Sequence, residues 1–163
     1  MFPGLDQGKS SPIVKSISSG IISPDLSDDS FLSTNSAAME LFEIMVQLPD
    51  QVSTHYGDCN FYEGIECIIK VVRQANTFVQ NEEPWTMKNH RDKQANVVHV
   101  ALSVGQMASI LLQPIVPAFS SRMLDILAVP EDERTWEHAK LLPYQQRPLG
   151  KRVAPFIKLK DVE

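Results

Sequence analysis

Two sets of side chains in this sequence have types and spacings that could do chemistry. The first is His55, Cys59 and Cys67, close enough in the chain to suggest a thiol activated by an imidazole. Their spacing fits no local nucleophile signature, and they read more simply as two small buried helix residues and a surface histidine. His90, His99 and His138 have no second His or Cys three or four residues away, so no metal-ligand pattern forms. Glu82-Glu83 and Glu131-Asp132-Glu133 read as solvated acids, and the scattered glycines make no phosphate loop. No catalytic residue is expected.

The second set is the run from Arg73 to Trp85. Arg73, Asn76 and Gln80 recur at helical spacing as a polar strip, and Pro84 holds Trp85 just beyond the helix end. Bulk alone makes Trp85 a core plug. The same ring, with Lys88, His90, Arg91 and Lys93 following it, could instead stack a splayed nucleic-acid base while those cations hold phosphates. A second basic cluster, with Lys140, Arg147, Lys151, Arg152, Lys158 and Lys160, is either a solvated tail or a phosphate-contacting strip.

Helices must position these residues. Ser36 is expected to cap a helix from Ala37 whose inner face carries Met39, Phe42, Met45, Val46 and Leu48. Pro49 should break or kink it, with a continuation to Tyr56. A second helix runs from Phe61 to Asn81, its stripe made by Phe61, Ile65, Ile68, Ile69, Val72, Ala75 and Val79, and Pro84 closes it. A third covers Gln94 to Leu112, with Val97, Val100, Ala101, Val104, Met107, Ala108 and Leu111 on one side. Pro117 suits the first turn of a fourth, Ala118 to Leu127. Periodicity fades after Pro130, and no strand pair or repeat emerges. The expected class is all-α, a helical bundle.

The remaining bounds come from composition. The 163 residues suffice for one domain with a tail, and a net charge of −5 argues against a wholly basic nucleic-acid binder. Two cysteines suit a reducing compartment, and no apolar run is long enough for a membrane span. Residues 1–36 are Ser-rich and carry four Asp and no Arg, which is neither a transit peptide nor a secretory signal. They read as a disordered or loop segment.

Several runs together resemble one family. Val72-Val-Arg-Gln-Ala-Asn-Thr-Phe-Val-Gln-Asn-Glu-Glu-Pro-Trp85 resembles the helix ending in Pro-Trp of the anticodon-binding domain of methionyl-tRNA synthetases. Leu48-Pro-Asp-Gln-Val-Ser-Thr-His-Tyr56 resembles the Leu-Pro-x-Gln-Val of its mitochondrial-type members. His99-Val-Ala-Leu102, Leu111-Leu-Gln-Pro-Ile-Val-Pro117, Met123-Leu-Asp-Ile-Leu127, Trp136, Leu149-Gly150 and Pro155-Phe-Ile-Lys-Leu159 follow in the family's order.

The resemblance covers about residues 37–159. It implies a helical bundle over 37–129, a C-terminal extension over 130–163 packed on it, and the anticodon of methionine-accepting tRNA as partner. By the same resemblance Trp85 stacks an anticodon base. Asn76 matches the family's helix motif; Arg73 is added as a second contact on physical grounds alone. Lys88, Arg91, Lys93, Lys151 and Arg152 are the phosphate-contact candidates.

The family attaches methionine to its tRNA with ATP, but its Rossmann catalytic domain has no counterpart here. ATP and methionine are therefore expected to bind elsewhere, in a separate catalytic domain or chain, and no cofactor in this one. The family's first anticodon-domain helix, with its Leu-x-Asn-x-x-x-Arg motif, also lacks a counterpart, so the bundle is expected to be incomplete at its N-terminal helix. The resemblance implies a mitochondrial matrix location, with the cytoplasm as the alternative left by the N-terminal sequence. The alternative functions are a helical protein-interaction scaffold or a truncated product without function.

Overall fold

Asn35 caps the first helix. Its backbone is extended, and its side-chain oxygen accepts from the Ala38 N–H, satisfying one donor that a helix start leaves open. The cap is therefore Asn35, not the expected Ser36, which is the first helical residue. The computed structural model describes residues 35–87 and 89–140. These form α1 (Ser36–Gly57), α2 (Phe61–Glu82), α3 (Arg91–Leu111) and α4 (Pro117–Ile126), with single 3-10 turns at Pro84–Thr86, Glu131–Glu133 and Trp136–His138.

α1 continues through Pro49 as one helix to Gly57, so the expected break is not found and the expected continuation to Tyr56 is. A proline there leaves the Met45 carbonyl without its usual donor, a cost on the order of 3 kcal/mol. Burial of Leu48 and Val52 on either side holds the helix together nonetheless. Its inner face is Ala38, Leu41, Phe42, Met45, Leu48 and Val52. Met39 is only partly buried and Val46 is 42% exposed, so the expected stripe was rotated toward solvent.

The same correction applies to α2. Gly64, Ile68, Val71, Ala75 and Phe78 face inward, whereas Phe61 and Val72 are exposed and Ile65, Ile69 and Val79 lie at the margin. The sequence offers apolar residues around most of this helix, and the one glycine that marks the true seam has no hydrophobicity to read. α3 starts at Arg91, three residues before the expected Gln94, and buries the expected Val97, Val100, Val104, Met107, Ala108 and Leu111. α4 begins on Pro117 as the missing N–H predicts.

Helices α1, α2 and α3 are antiparallel in sequence, each packed chiefly on its neighbour in the chain, and α4 packs on α3. The core is a single cluster running through all four, to which Val129 and Ala139 add from the C-terminal turns. Those turns are tied back by Arg134, whose guanidinium donates to the Val129 carbonyl at 2.9 and 2.7 Å and meets Asp125 at 2.7 Å. Gln113 Nε2 donates to the Arg134 carbonyl at 2.7 Å.

Three helices end on left-handed residues that are not glycine: Cys59 (φ 58), Glu83 (φ 46) and Ala128 (φ 52). After α4 the Val129 N–H reaches Leu124 O at 2.9 Å and the Ala128 N–H reaches Asp125 O at 3.1 Å. After α1, Asn60 and Cys59 donate to His55 O and Tyr56 O in the same pattern, at 2.8 and 3.1 Å. Both are Schellman caps, in which glycine is the unstrained residue. Ala128→Gly and Cys59→Gly are therefore each expected to raise stability by about 0.5–1 kcal/mol, since the left-handed strain relieved exceeds the added chain entropy. Urea unfolding of the two variants checks this; a lower midpoint for both would contradict the cap assignment.

Candidate nucleic-acid interface

The antiparallel α2 and α3 bring their joined ends together at one pole of the bundle, and Trp85 sits there. The default reading of that ring as a core plug is overturned: Trp85 is 53% exposed, and Pro84 is the buried member of the pair. Local geometry explains the exchange. Glu83 turns left-handed and its N–H closes α2 on Val79 O at 3.1 Å. Pro84 then drops into the bundle, and the 3-10 turn it starts points the next side chain outward. Thr86 donates to Glu83 O through both its N–H and its hydroxyl, at 2.9 and 2.8 Å. From α3, Gln94 Nε2 donates to Pro84 O at 2.8 Å. The backbone beneath the indole is thus fixed from two helices.

A second set of contacts lies directly under this turn. Glu82, the last residue of α2, has a side chain only 15% exposed. One carboxylate oxygen accepts from Asn35 Nδ2, and the other meets Lys93 Nζ at 3.1 Å. Glu82 is therefore not the solvated acid expected of a Glu-Glu pair. Asn35, Glu82 and Lys93 come from the starts of α1 and α3 and the end of α2, and sequence separation hides them from any local pattern. Gln94 was missed for the same reason.

The expected contact residues divide. Arg73, Asn76 and Gln80 are exposed and fall within about 60° of one another around α2, opposite its buried seam. Asn76 lies about 9 Å along the axis before Glu82. Arg73 lies further back and lines a groove on the α1 side, with Glu40, Gln74, Thr77 and Asn81. That groove is distinct from the shallow one beside Pro84, formed by Arg91, Gln94, Ala95 and Val98. Of the cations, Arg91 is exposed at the head of α3, whereas Lys93 is half exposed and engaged with Glu82. Lys88, Lys151 and Arg152 lie outside the described residues.

At the opposite pole Tyr56 joins α1 to the rest. Its hydroxyl donates to Leu111 O at 3.3 Å, and its ring meets Phe61 and Trp136 at 5.6 and 6.2 Å between centroids. Burial pushes the Tyr56 phenol up and the His99 imidazole on α3 down from their ordinary values. The expected pair of buried cysteines is not found: Cys59 is exposed in the turn after α1, Cys67 is half buried, and His55 is partly buried. Among the described residues no three His, Cys, Asp or Glu side chains converge as metal ligands, and no helix is long and apolar enough to cross a membrane.

The described residues thus form an all-α bundle with an outward-facing tryptophan on a buried proline at one pole. Residues 34–159 match the family described as the anticodon binding domain of methionyl tRNA ligase, and the chain belongs to that family. Among curated proteins it is similar to the mitochondrial methionine–tRNA ligase of Takifugu rubripes, 35% identical over 107 residues covering 63% of this chain and 18% of the relative. It is also similar to that of Bos taurus, 33% identical over 122 residues covering 68% and 21%. The methionine–tRNA ligase of Rickettsia typhi is 39% identical over 75 residues, covering 45% and 15%. The chain spans about a fifth of the length of the mitochondrial relatives it matches.

Proposed function

We propose that this chain reads the anticodon of methionine-accepting tRNA, as the recognition part of a methionine–tRNA ligase. The observation that carries the reading is Trp85, half exposed on a buried Pro84, in a chain of the anticodon-binding family. The indole stacks an unpaired anticodon base, and Asn76 hydrogen-bonds a base edge on the same side of α2. Arg73, in its separate groove, serves a neighbouring phosphate or base. Arg91 holds a phosphate beside the indole; Lys88, Lys151 and Arg152, which lie outside the described residues, are further phosphate contacts in this reading, and Lys93 serves as one only in part because Glu82 offsets its charge.

Residues 37–129 act as the reading bundle and 130–163 as a C-terminal extension, of which residues 141–163 lie outside the described residues. ATP and methionine bind a catalytic domain outside this sequence, and no cofactor binds here. The mitochondrial relatives support the mitochondrial matrix as the site of action.

The test is binding of the chain to an anticodon stem-loop bearing CAU and to one with a changed first base, at two salt concentrations. Preference for CAU that persists at the higher salt is expected. Equal binding that fades together with salt would reduce the chain to a basic surface and overturn the reading.

A further inference from the structure

We propose that Glu82 is a positioning residue for Trp85, setting the angle at which the indole is presented; this rests on the reading of Trp85 as the base-stacking ring. Glu82 stands three residues before Trp85, and its two carboxylate oxygens are each taken by a different helix. Asn35 is divided between two tasks: its oxygen caps α1 through the Ala38 N–H, and its nitrogen donates to Glu82. Lys93 approaches the other oxygen at 3.1 Å from the first turn of α3. The carboxylate thus fixes where α2 ends relative to the starts of both neighbours. Everything between it and the indole is stiff: Glu83 is left-handed, Pro84 is buried with a locked φ, and Gln94 grips the Pro84 carbonyl.

A carboxylate is required at this place because both partners are donors. Glutamine has the same shape but offers one acceptor oxygen, so either Asn35 or Lys93 then faces an N–H. Alanine removes both ties. Either change also frees the Lys93 ammonium, which raises the attraction for any phosphate. Loss of the carboxylate therefore acts on discrimination and on non-specific affinity in opposite directions. A residue that merely stabilised the fold would leave discrimination unchanged, whatever its charge did to non-specific affinity.

The experiment uses the full chain with Trp136→Phe, so that Trp85 is the one remaining indole of the two in the sequence. Glu82→Ala and the gentler Glu82→Gln are compared with this parent in two readouts. Time-resolved fluorescence anisotropy of the free protein is expected to show wider and faster motion of the Trp85 ring. The ratio of affinities for a CAU stem-loop and one with a changed first base is expected to fall roughly three- to tenfold, the scale of one ordinary hydrogen bond lost at the base. Affinity for the changed loop stays level or rises.

An unchanged anisotropy, or an unchanged ratio despite a looser ring, overturns the proposal even if the melting temperature drops. A parent without preference between the loops overturns the reading of Trp85, and the proposal with it. A selective parent with unaltered Glu82 variants overturns the proposal alone.

Discussion

Trp85→Ala is expected to weaken binding to a CAU anticodon stem-loop by roughly ten- to hundredfold, the range for losing one base–aromatic stack. The fold should survive, because the indole is 53% exposed and the burial at this turn belongs to Pro84. No charge is removed, so the slope of affinity against salt should stay as it was. Trp85→Phe keeps a π-face and should recover most of the loss. Arg91→Ala supplies the contrast: it should lower affinity for every loop alike and reduce the salt slope by about one. Titration at several salt concentrations separates the two patterns. Equal affinity of Trp85→Ala and parent for the CAU loop would remove the stacking role.

The largest effect on stability is expected at Gly64. A Cβ built on this residue would lie 2.5 Å from Tyr56 Cε1 and 2.8 Å from Cδ1. The ring cannot swing away freely, since its hydroxyl holds Leu111 O and it makes tilted and edge contacts with Phe61 and Trp136. Gly64→Ala sets about 1 kcal/mol of helix propensity gained against an overpacking cost of about 1–3 kcal/mol together with the lost ring contacts. The clash wins, and a net loss of about 1–2 kcal/mol is expected; Gly64→Val should lose about 3 kcal/mol. A double-mutant cycle gives a decisive sign. In a Tyr56→Ala background the obstacle is gone, and Gly64→Ala should stabilise by about 1 kcal/mol. Destabilisation in both backgrounds would mean that Gly64 is needed for some other reason.

Gly64 also shows how far the sequence could be read. The four helices were legible because prolines and turn residues punctuate four apolar periodicities, and α3 was mostly correct in its buried face, with Ala101 only half buried and Ser109 and Ile110 buried unexpectedly. The registers of α1 and α2 were not. Both carry apolar residues on more than one side, and the positions that decide their seams, Ala38 and Gly64, are too small to weigh in a hydrophobic pattern. Pro49 was read as a breaker because its local cost is large, while the packing that outweighs it is tertiary.

At the candidate interface, the Pro84-Trp85 pair was legible as a rigid mount, but bulk assigned burial to the wrong member. The left-handed turn at Glu83 decides which side chain enters the bundle, and no residue type announces it. The contacts among Asn35, Glu82 and Lys93 stayed hidden because one closes across 47 residues and the other binds an acid that looked solvated to a lysine read as a phosphate contact. Family resemblance supplied what spacing could not, namely the proposal that the exposed ring stacks an anticodon base.

The order in which the helices pack has a bearing on how the chain reaches this shape. Each helix leans mainly on the one made just before it, through turns as short as the one between Gly57 and Phe61. Contacts of this kind are near in sequence, so little chain entropy is lost before each begins to stabilise the next. On a ribosome α1 and α2 pair as a hairpin while α3 is still held in the exit tunnel. The tie between Asn35 and Glu82 closes within that first hairpin, before the turn that carries Trp85 is packed against α3.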